Sequence, residues 1–311
     1  MTKPIAFLFP GQGSQQEGMG LDFMAASAAA RERYRQAEAV LGESLLELSR
    51  PERAPDLNRT LHTQPALYTL SCVIAEALQA AGIEPHAAAG HSAGEFAALT
   101  AAGAWPFETG LKVIAVRARL MHEAPGTGAM AAVPALSPAR IAEWCEAWTQ
   151  GLVRVANYNS PKQTVITGEA EAVRAFSEML KEQGARRVIP LNVSGAFHSP
   201  LMRGAQEQFA QFMKGIEIKP PRIPWISNHT AEPVSDPETI REHLIGQFCS
   251  PVYWTRTMDW IAGQCAAAVE AGPGKVLKGL AKACHEDFPC YNAGTVESLK
   301  ETIAEMTAAG A

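Results

Sequence analysis

Ala87-Ala88-Ala89-Gly90-His91-Ser92-Ala93-Gly94-Glu95-Phe96-Ala97-Ala98-Leu99 carries the strongest local signal in this chain. A short run of small residues, suited to a buried strand, leads into Gly-x-Ser-x-Gly, and an alanine-rich helical pattern follows. That strand–turn–helix context is what a nucleophile elbow requires. Gly90 and Gly94 lack the Cβ atoms that would clash across so tight a turn. Ser92 is then held at the strand end, its hydroxyl exposed and a helix N-terminus behind it. The backbone N–H of Ala93 faces the same space as one half of an oxyanion hole. The expression alone also fits a Gly/Ser loop between two core elements, so other residues must support the elbow.

Upstream, Ile5–Phe9 is a buried-type strand stopped by Pro10 and followed by Gly11-Gln12-Gly13-Ser14-Gln15. A dinucleotide-binding GxGxxG would need glycine at position 16, where the chain has Gln16. The turn still lets backbone approach a ligand, and Gln12 between two glycines is expected at a site mouth. Residues 19–48 pattern as surface helices. A helix capped by Thr63, with Pro65 in its first turn, is expected to run to Ala81 and stop at Gly82.

Downstream, a helix over 108–123 carries Leu111, Ile114, Ala115, Ala118 and Met121 on one side. Arg117 lies at helical spacing from Ile114 and Met121 and borders that apolar face, whereas Arg119 is expected to snorkel at the surface. Strand-like 128–135, a helix from Ser137-Pro138, strands over 152–158 and 164–168, a helix over 170–183 and a strand over 187–193 follow. That β-α-β-β-α-β order is ferredoxin-like. The expected fold is α/β, with 1–127 and 194–311 forming a large subdomain and 128–193 a small inserted one. A cleft at their junction is a natural ligand site. His198, in a turn before a helix, falls at its edge and is favoured over the seven other histidines. Gly272-Pro273-Gly274-Lys275 lacks the spacing and hydroxyl of a phosphate loop and is expected to cap the next helix.

Composition sets the limits. The 311 residues are 47% apolar and 19% charged, with a formal charge of −5, which is ordinary globular composition. It offers no electrostatic reason to expect nucleic acid or an anionic membrane as partner. The six cysteines show no CxxC or metal-ligand spacing and suit reduced thiols of a cytoplasmic protein. No run is long and apolar enough for a membrane span or a signal-peptide core. His91 and Glu95 have the i, i+4 spacing of a metal pair, but no third ligand is evident, so no metal is expected.

Seven motifs occur in order: Gly11-Gln12-Gly13-Ser14-Gln15, Gly90-His91-Ser92-x-Gly94-Glu95, Arg117-x-Arg119-Leu120-Met121, Asn157-Tyr158-Asn159-Ser160-Pro161, Phe197-His198-Ser199, Gln247 ahead of Ser250-Pro251-Val252-x-Trp254, and Glu270-Ala271-Gly272-Pro273-Gly274. Together they resemble the malonyl-CoA:acyl carrier protein transacylase family, which includes stand-alone acyltransferases of polyketide assembly, over nearly the whole chain. The resemblance implies a hydrolase-like α/β core with a ferredoxin-like insertion.

It also implies roles. Ser92 would take malonyl from malonyl-CoA as an ester, with His198 as general base, a contribution of typically ~10²–10⁴ in rate. The backbone N–H groups of Gln12 and Ala93 would form the oxyanion hole, each worth ~3 kcal/mol. No aspartate lies between Ser92 and His198. In the family a main-chain carbonyl near the residue matching Gln247 orients the histidine, so a Ser–His dyad is expected, with Gln247 lining the site. Arg117 would hold the malonyl carboxylate through two parallel hydrogen bonds. Acetyl would leave it unpaired, at about 3–5 kcal/mol, or roughly two to nearly four decades. Phe197 matches the malonyl-selective pattern, where methylmalonyl-selective relatives usually carry serine. Met121, Asn157 and Asn159 would line the acyl site or its entrance. Ala93 departs from the larger residue usual there, which leaves the backbone donor intact and the pocket roomier.

No bound cofactor is implied; phosphopantetheine arrives on the acyl carrier protein, a transient partner of a monomer. Carriers of this kind are usually acidic, and Arg186, Arg187, Lys275, Lys278 and Lys282 are candidates for a basic docking patch. The competing readings are a hydrolase of the same fold that clears stalled carriers, the malonyl-transferring subunit of a malonate decarboxylase, and a non-catalytic carrier-binding scaffold. Retention of Arg117 argues against the first, and retention of Ser92, His198, Gln12 and Arg117 together argues against the last.

Overall fold

The computed structural model describes residues 4–124, 128–193 and 195–308. Its strands are β1 (Ile5–Phe9), β2 (Ala87–Gly90), β3 (Gly128–Pro134), β4 (Val153–Ser160), β5 (Gln163–Glu169), β6 (Ile189–Pro190), β7 (Trp225–Ile226), β8 (Pro233–Val234), β9 (Ala267–Glu270) and β10 (Cys290–Asn292). One sheet has the order β10-β9-β1-β2-β7-β8. It is parallel except for β8, which pairs antiparallel with β7 at the edge. A parallel sheet needs cover on both faces, which explains the unbroken apolar run of β1. Phe7 and Phe9 enter a core shared with Leu70 and Ile74 of the helix Thr60–Ala80 and Ile114 of the helix Phe107–Glu123. Ala6 and Leu8 point the other way, toward Trp254, Met258 and Leu277.

The second sheet has the order β4-β5-β3-β6, and all its pairings are antiparallel. Val133, Val155 and Ile166 on one face pack under Ile141 and Phe176 of the helices Pro138–Ala147 and Ala170–Glu182. Met130, Ala156 and Val165 on the other face join the same core as Phe7 and Phe9. Main-chain bonds from Tyr158 N–H to Val252 O (2.9 Å) and from Val252 N–H to Ala156 O (2.8 Å) tie β4 to the segment that follows Gln247. The junctions expected after 127 and before 194 fall at 125–127 and Ser194, outside the described residues.

Several expected boundaries shift. The helix expected from Thr63 begins at Thr60, with Pro65 inside it, and Thr63 Oγ1 donates to the carbonyls of Leu57 and Arg59 instead of capping. A short hydroxyl can back-bond in this way once the helix has already started. The strand expected over 187–193 shortens to Ile189–Pro190, because Pro190 has no N–H to give and the neighbouring Ile189 and Leu191 are exposed. Asn159 and Ser160, expected in a five-residue loop, belong to β4, whose ladder is bulged between Val155 and Asn157 and again between Tyr158 and Ser160. These bulges re-aim the asparagines toward the other sheet.

Candidate active site

The elbow is built from close backbone approaches. A Cβ added at Gly90 would lie 1.9 Å from Gly94 C, and one at Gly94 would lie 2.0 Å from Phe9 O. Ser92 takes a left-handed φ of 51°, a conformation that a non-glycine residue holds only when its surroundings enforce it. The helix Gly94–Ala101 starts directly behind it. The loop after β1 presses on the elbow from the side, where a Cβ at Gly11 would meet His91 O at 2.3 Å.

His198, also at positive φ (60°), lies 4% exposed. Its Nδ1 donates to the main-chain carbonyl of Gln247 at 2.9 Å, and its Nε2 lies 2.9 Å from Ser92 Oγ. A carbonyl can only accept, so Nδ1 carries the proton and Nε2 is left to receive the serine hydroxyl. Burial, and then the charge of Arg117, push the imidazole down to about 3, so it is neutral at rest.

Arg117 is fully buried and Arg119 is exposed, as helical spacing anticipated. The Arg117 guanidinium donates from Nη1 to Gln64 Oε1 (2.7 Å) and from Nη2 to Gln247 Oε1 (2.6 Å) and Ser92 Oγ (3.1 Å). Its Nε has no partner among the described residues. The rings of Phe96 and Phe248 flank it at 5.5 and 5.6 Å. An acetyl group would therefore not leave it bare, since two amide oxygens already hold it, and the discrimination anticipated above is an upper bound. Burial lowers its pKa to about 9, against the pull of Glu95, which still leaves it charged at neutral pH.

A cavity of about 80 Å³ brings Ser92, His198, Gln12, Ala93, Met121, Asn157 and Phe197 together, with Gln64, His91, Met130, Leu191 and Val193 completing its wall. Gln12 Nε2 donates to Thr60 Oγ1 at 3.1 Å. Asn159 stands behind this wall, its Oδ1 accepting from His91 Nε2 at 2.8 Å, so it braces the elbow and does not line the cavity. Gln247 is fully buried, its Oε1 on Arg117 and its Nε2 on Ser92 O at 3.1 Å. Lys275, Lys278, Lys282, Arg186 and Arg187 are all exposed. Among the described residues no group of three or more His, Cys, Asp or Glu side chains could hold a metal ion.

Residues 6–309 match the acyl transferase domain family. The chain is 41% identical over 307 residues to the malonyl CoA-acyl carrier protein transacylase of Bacillus subtilis, with 97% of each chain covered. It belongs to that transacylase family. It is also 40% identical over 283 residues to the Escherichia coli K12 transacylase, covering 89% of this chain and 92% of that one. The transacylase structure from Coxiella burnetii matches it at TM-score 0.95 and 36% identity, over 99% of both chains. A malonyl-transacylase solved in complex with a type II polyketide synthase acyl-carrier protein matches at 0.94 and 36%, over 97% of this chain and 99% of that one.

The candidate site holds three polar residues that the sequence did not assign to it: Gln64, Asn228 and Glu95. Asn228 Oδ1 accepts the Ser92 N–H and its Nδ2 donates to Gly90 O, both at 2.6 Å. Gln64 stood beside the expected cap at Thr63, and Asn228 lies in the turn between β7 and β8. Neither position has a local signal, because both act on groups more than 50 residues away.

Proposed function

We propose that this chain carries malonyl from malonyl-CoA to the phosphopantetheine thiol of an acyl carrier protein, through a malonyl ester of Ser92. The observation that carries the reading is the buried guanidinium of Arg117, 3.1 Å from the Ser92 hydroxyl and held by two amide oxygens. A cation there has no use for a plain fatty acyl chain and a direct one for an acyl group ending in a carboxylate. Ser92 Oγ attacks the thioester carbonyl as its proton passes to His198 Nε2. The oxyanion is met by the backbone N–H groups of Gln12 and Ala93. On collapse the C–S bond breaks, and His198 returns the proton to the departing coenzyme A thiolate. In the second half His198 takes the proton of the carrier thiol, the thiolate attacks the ester, and Ser92 leaves with that proton.

The positive charge of Arg117 is one cause of the weak basicity of His198. A malonyl carboxylate on Arg117 offsets that charge, so the substrate that belongs in the site also strengthens its base. Phe197, nearly buried in the cavity wall, crowds an α-methyl branch. In this reading 128–193 is a small subdomain closing the site from one side, with its bulged strand β4 supplying Asn157 to the wall and Asn159 to brace His91. The exposed lysines 275, 278 and 282, with Arg186 and Arg187, meet the acidic carrier of fatty acid or polyketide synthesis. The six free cysteines suit a monomer in the reducing cytoplasm.

Intact mass after brief incubation with malonyl-CoA tests the reading, with acetyl-CoA and methylmalonyl-CoA in parallel. One malonyl adduct, mapped to Ser92 and discharged onto a phosphopantetheinylated carrier, is the expected result. Malonate released at one rate with or without carrier would replace transfer by hydrolysis.

A further inference from the structure

The carboxylate of Glu95 lies 1% exposed in the first turn of the helix behind Ser92, and the dyad chemistry makes no direct use of it. Its Oε1 accepts the main-chain N–H of Asn228 at 2.6 Å, and its Oε2 accepts from Gln247 Nε2. These two contacts reach both halves of the catalytic pair. Asn228, once its main chain is fixed, clamps the strained elbow through Gly90 O and the Ser92 N–H. Gln247, once its side chain is fixed, presents its carbonyl to His198 Nδ1 and its Oε1 to Arg117.

We propose that Glu95 is a positioning residue of the transfer reaction, an acceptor-only group that sets the Ser92 elbow and the His198 carbonyl from one point. The assignment rests on the acyl-transfer reading of Ser92 and His198 but not on which acyl group is carried. The requirement is stereochemical. Two N–H donors converge on the two oxygens of Glu95, and only a carboxylate offers acceptors at both. A glutamine in either amide orientation turns an NH2 group toward Asn228 N–H or toward Gln247 Nε2. Gln247 cannot flip to relieve this, because its NH2 would then face Arg117 Nη2. In its ionised form Glu95 also answers the buried guanidinium across the Gln247 amide.

Burial works against this arrangement and pushes the carboxyl up to about 8, opposed by the Asn228 and Gln247 hydrogen bonds and by Arg117. Both hydrogen bonds and the Arg117 charge favour the ionised form against that burial.

The test is the rate at which a neutral serine-directed phosphonate labels Ser92, read by mass, in the full chain and in Glu95→Gln and Glu95→Asp. This readout needs no malonyl-CoA, so it stands apart from the substrate assignment. Glu95→Gln should label roughly 10–100-fold more slowly with its fold intact, a part of what a positioned base supplies. Glu95→Asp, which keeps two acceptor oxygens, should recover at least tenfold of that loss. With malonyl-CoA the Gln variant should lower kcat while KM stays within about threefold. Labelling of Glu95→Gln within threefold of the parent overturns the proposal, and so does equal slowing of the two variants. If Glu95→Gln does not fold, Glu95→Asp decides: within tenfold of the parent supports the role, and a hundredfold loss in a natively folded variant refutes it.

Discussion

Replacing Arg117 by alanine should abolish the preference for malonyl over acetyl while leaving Ser92 reactive. An ion pair at about 4 Å, with an effective dielectric near 20, is worth about 4 kcal/mol. The incoming carboxylate must displace an amide oxygen that already holds the guanidinium at 2.6 or 2.7 Å, giving up about 1 kcal/mol. About 3 kcal/mol remains, a preference of roughly 150-fold. Rapid-quench loading of Ser92 from malonyl-CoA and acetyl-CoA measures it directly as a ratio of kcat/KM values. In Arg117→Ala that ratio should fall to within about threefold of unity, mainly through malonyl. The variant also loses the bond from Nη2 to Ser92 Oγ, so phosphonate labelling is the control. Loss of the positive charge raises the basicity of His198 from about 3, and labelling should stay within about tenfold of the parent. A malonyl preference above tenfold surviving in Arg117→Ala would refute the reasoning, because the carboxylate would then be recognised elsewhere.

Phe197→Ser should raise methylmalonyl loading relative to malonyl by roughly tenfold or more, since one methyl group in a pocket is worth about 1–3 kcal/mol; competition loading read by mass measures it, and an unchanged ratio removes Phe197 from selectivity. Gly94→Ala places a methyl 2.0 Å from Phe9 O and should destabilise by roughly 3 kcal/mol, the upper range for overpacking; urea midpoints check this, and a shift below about 1 kcal/mol would mean that the elbow yields. For pH, His198 is held near 3 in the fold against about 6.5 unfolded, so it favours folding above pH 6.5 and loses that contribution progressively as pH falls toward 3. The slope amounts to about 2 kcal/mol between pH 6.5 and 5 for this residue alone; urea titrations should show His198→Ala losing less stability over that window than the parent, and equal losses would contradict the buried neutral state.

The sheet, the elbow and the serine at its tip are legible because each leaves a local mark. Five apolar residues ending at Pro10 define a strand, and glycines two residues either side of Ser92 define a turn that only they can make. Arg117 is legible by period, since it borders the apolar side of an amphipathic helix and Arg119 does not. His198 is legible only by its place after a strand, with seven rivals. What periodicity could not supply is the length of an edge strand ended by proline, or the bulges that fold Asn159 into β4. Those outcomes follow from which backbone groups find partners, and the partners lie in other segments.

The polar residues missed by the sequence reading share one physical origin. A buried guanidinium needs acceptors for its N–H groups; Nη1 and Nη2 of Arg117 find them while Nε does not, and among the described residues no carboxylate touches it directly. Gln64 and Gln247 meet it with amide oxygens, which leaves the Gln247 NH2 in need of acceptors of its own. Ser92 O and Glu95 Oε2 provide them, and the second oxygen of Glu95 then accepts from the Asn228 main chain. Each step passes an unmet donor to the next group until every one of these bonds has a partner, as buried polar networks demand. The chain of obligations runs from position 64 to position 247 and returns to the elbow at Ser92. The neutral Gln247 amide between Arg117 and Glu95 also keeps the two from forming a direct pair. An arginine locked by a carboxylate of its own protein would have little left for the carboxylate of a substrate, whereas one held by two glutamines can trade an amide for a charge.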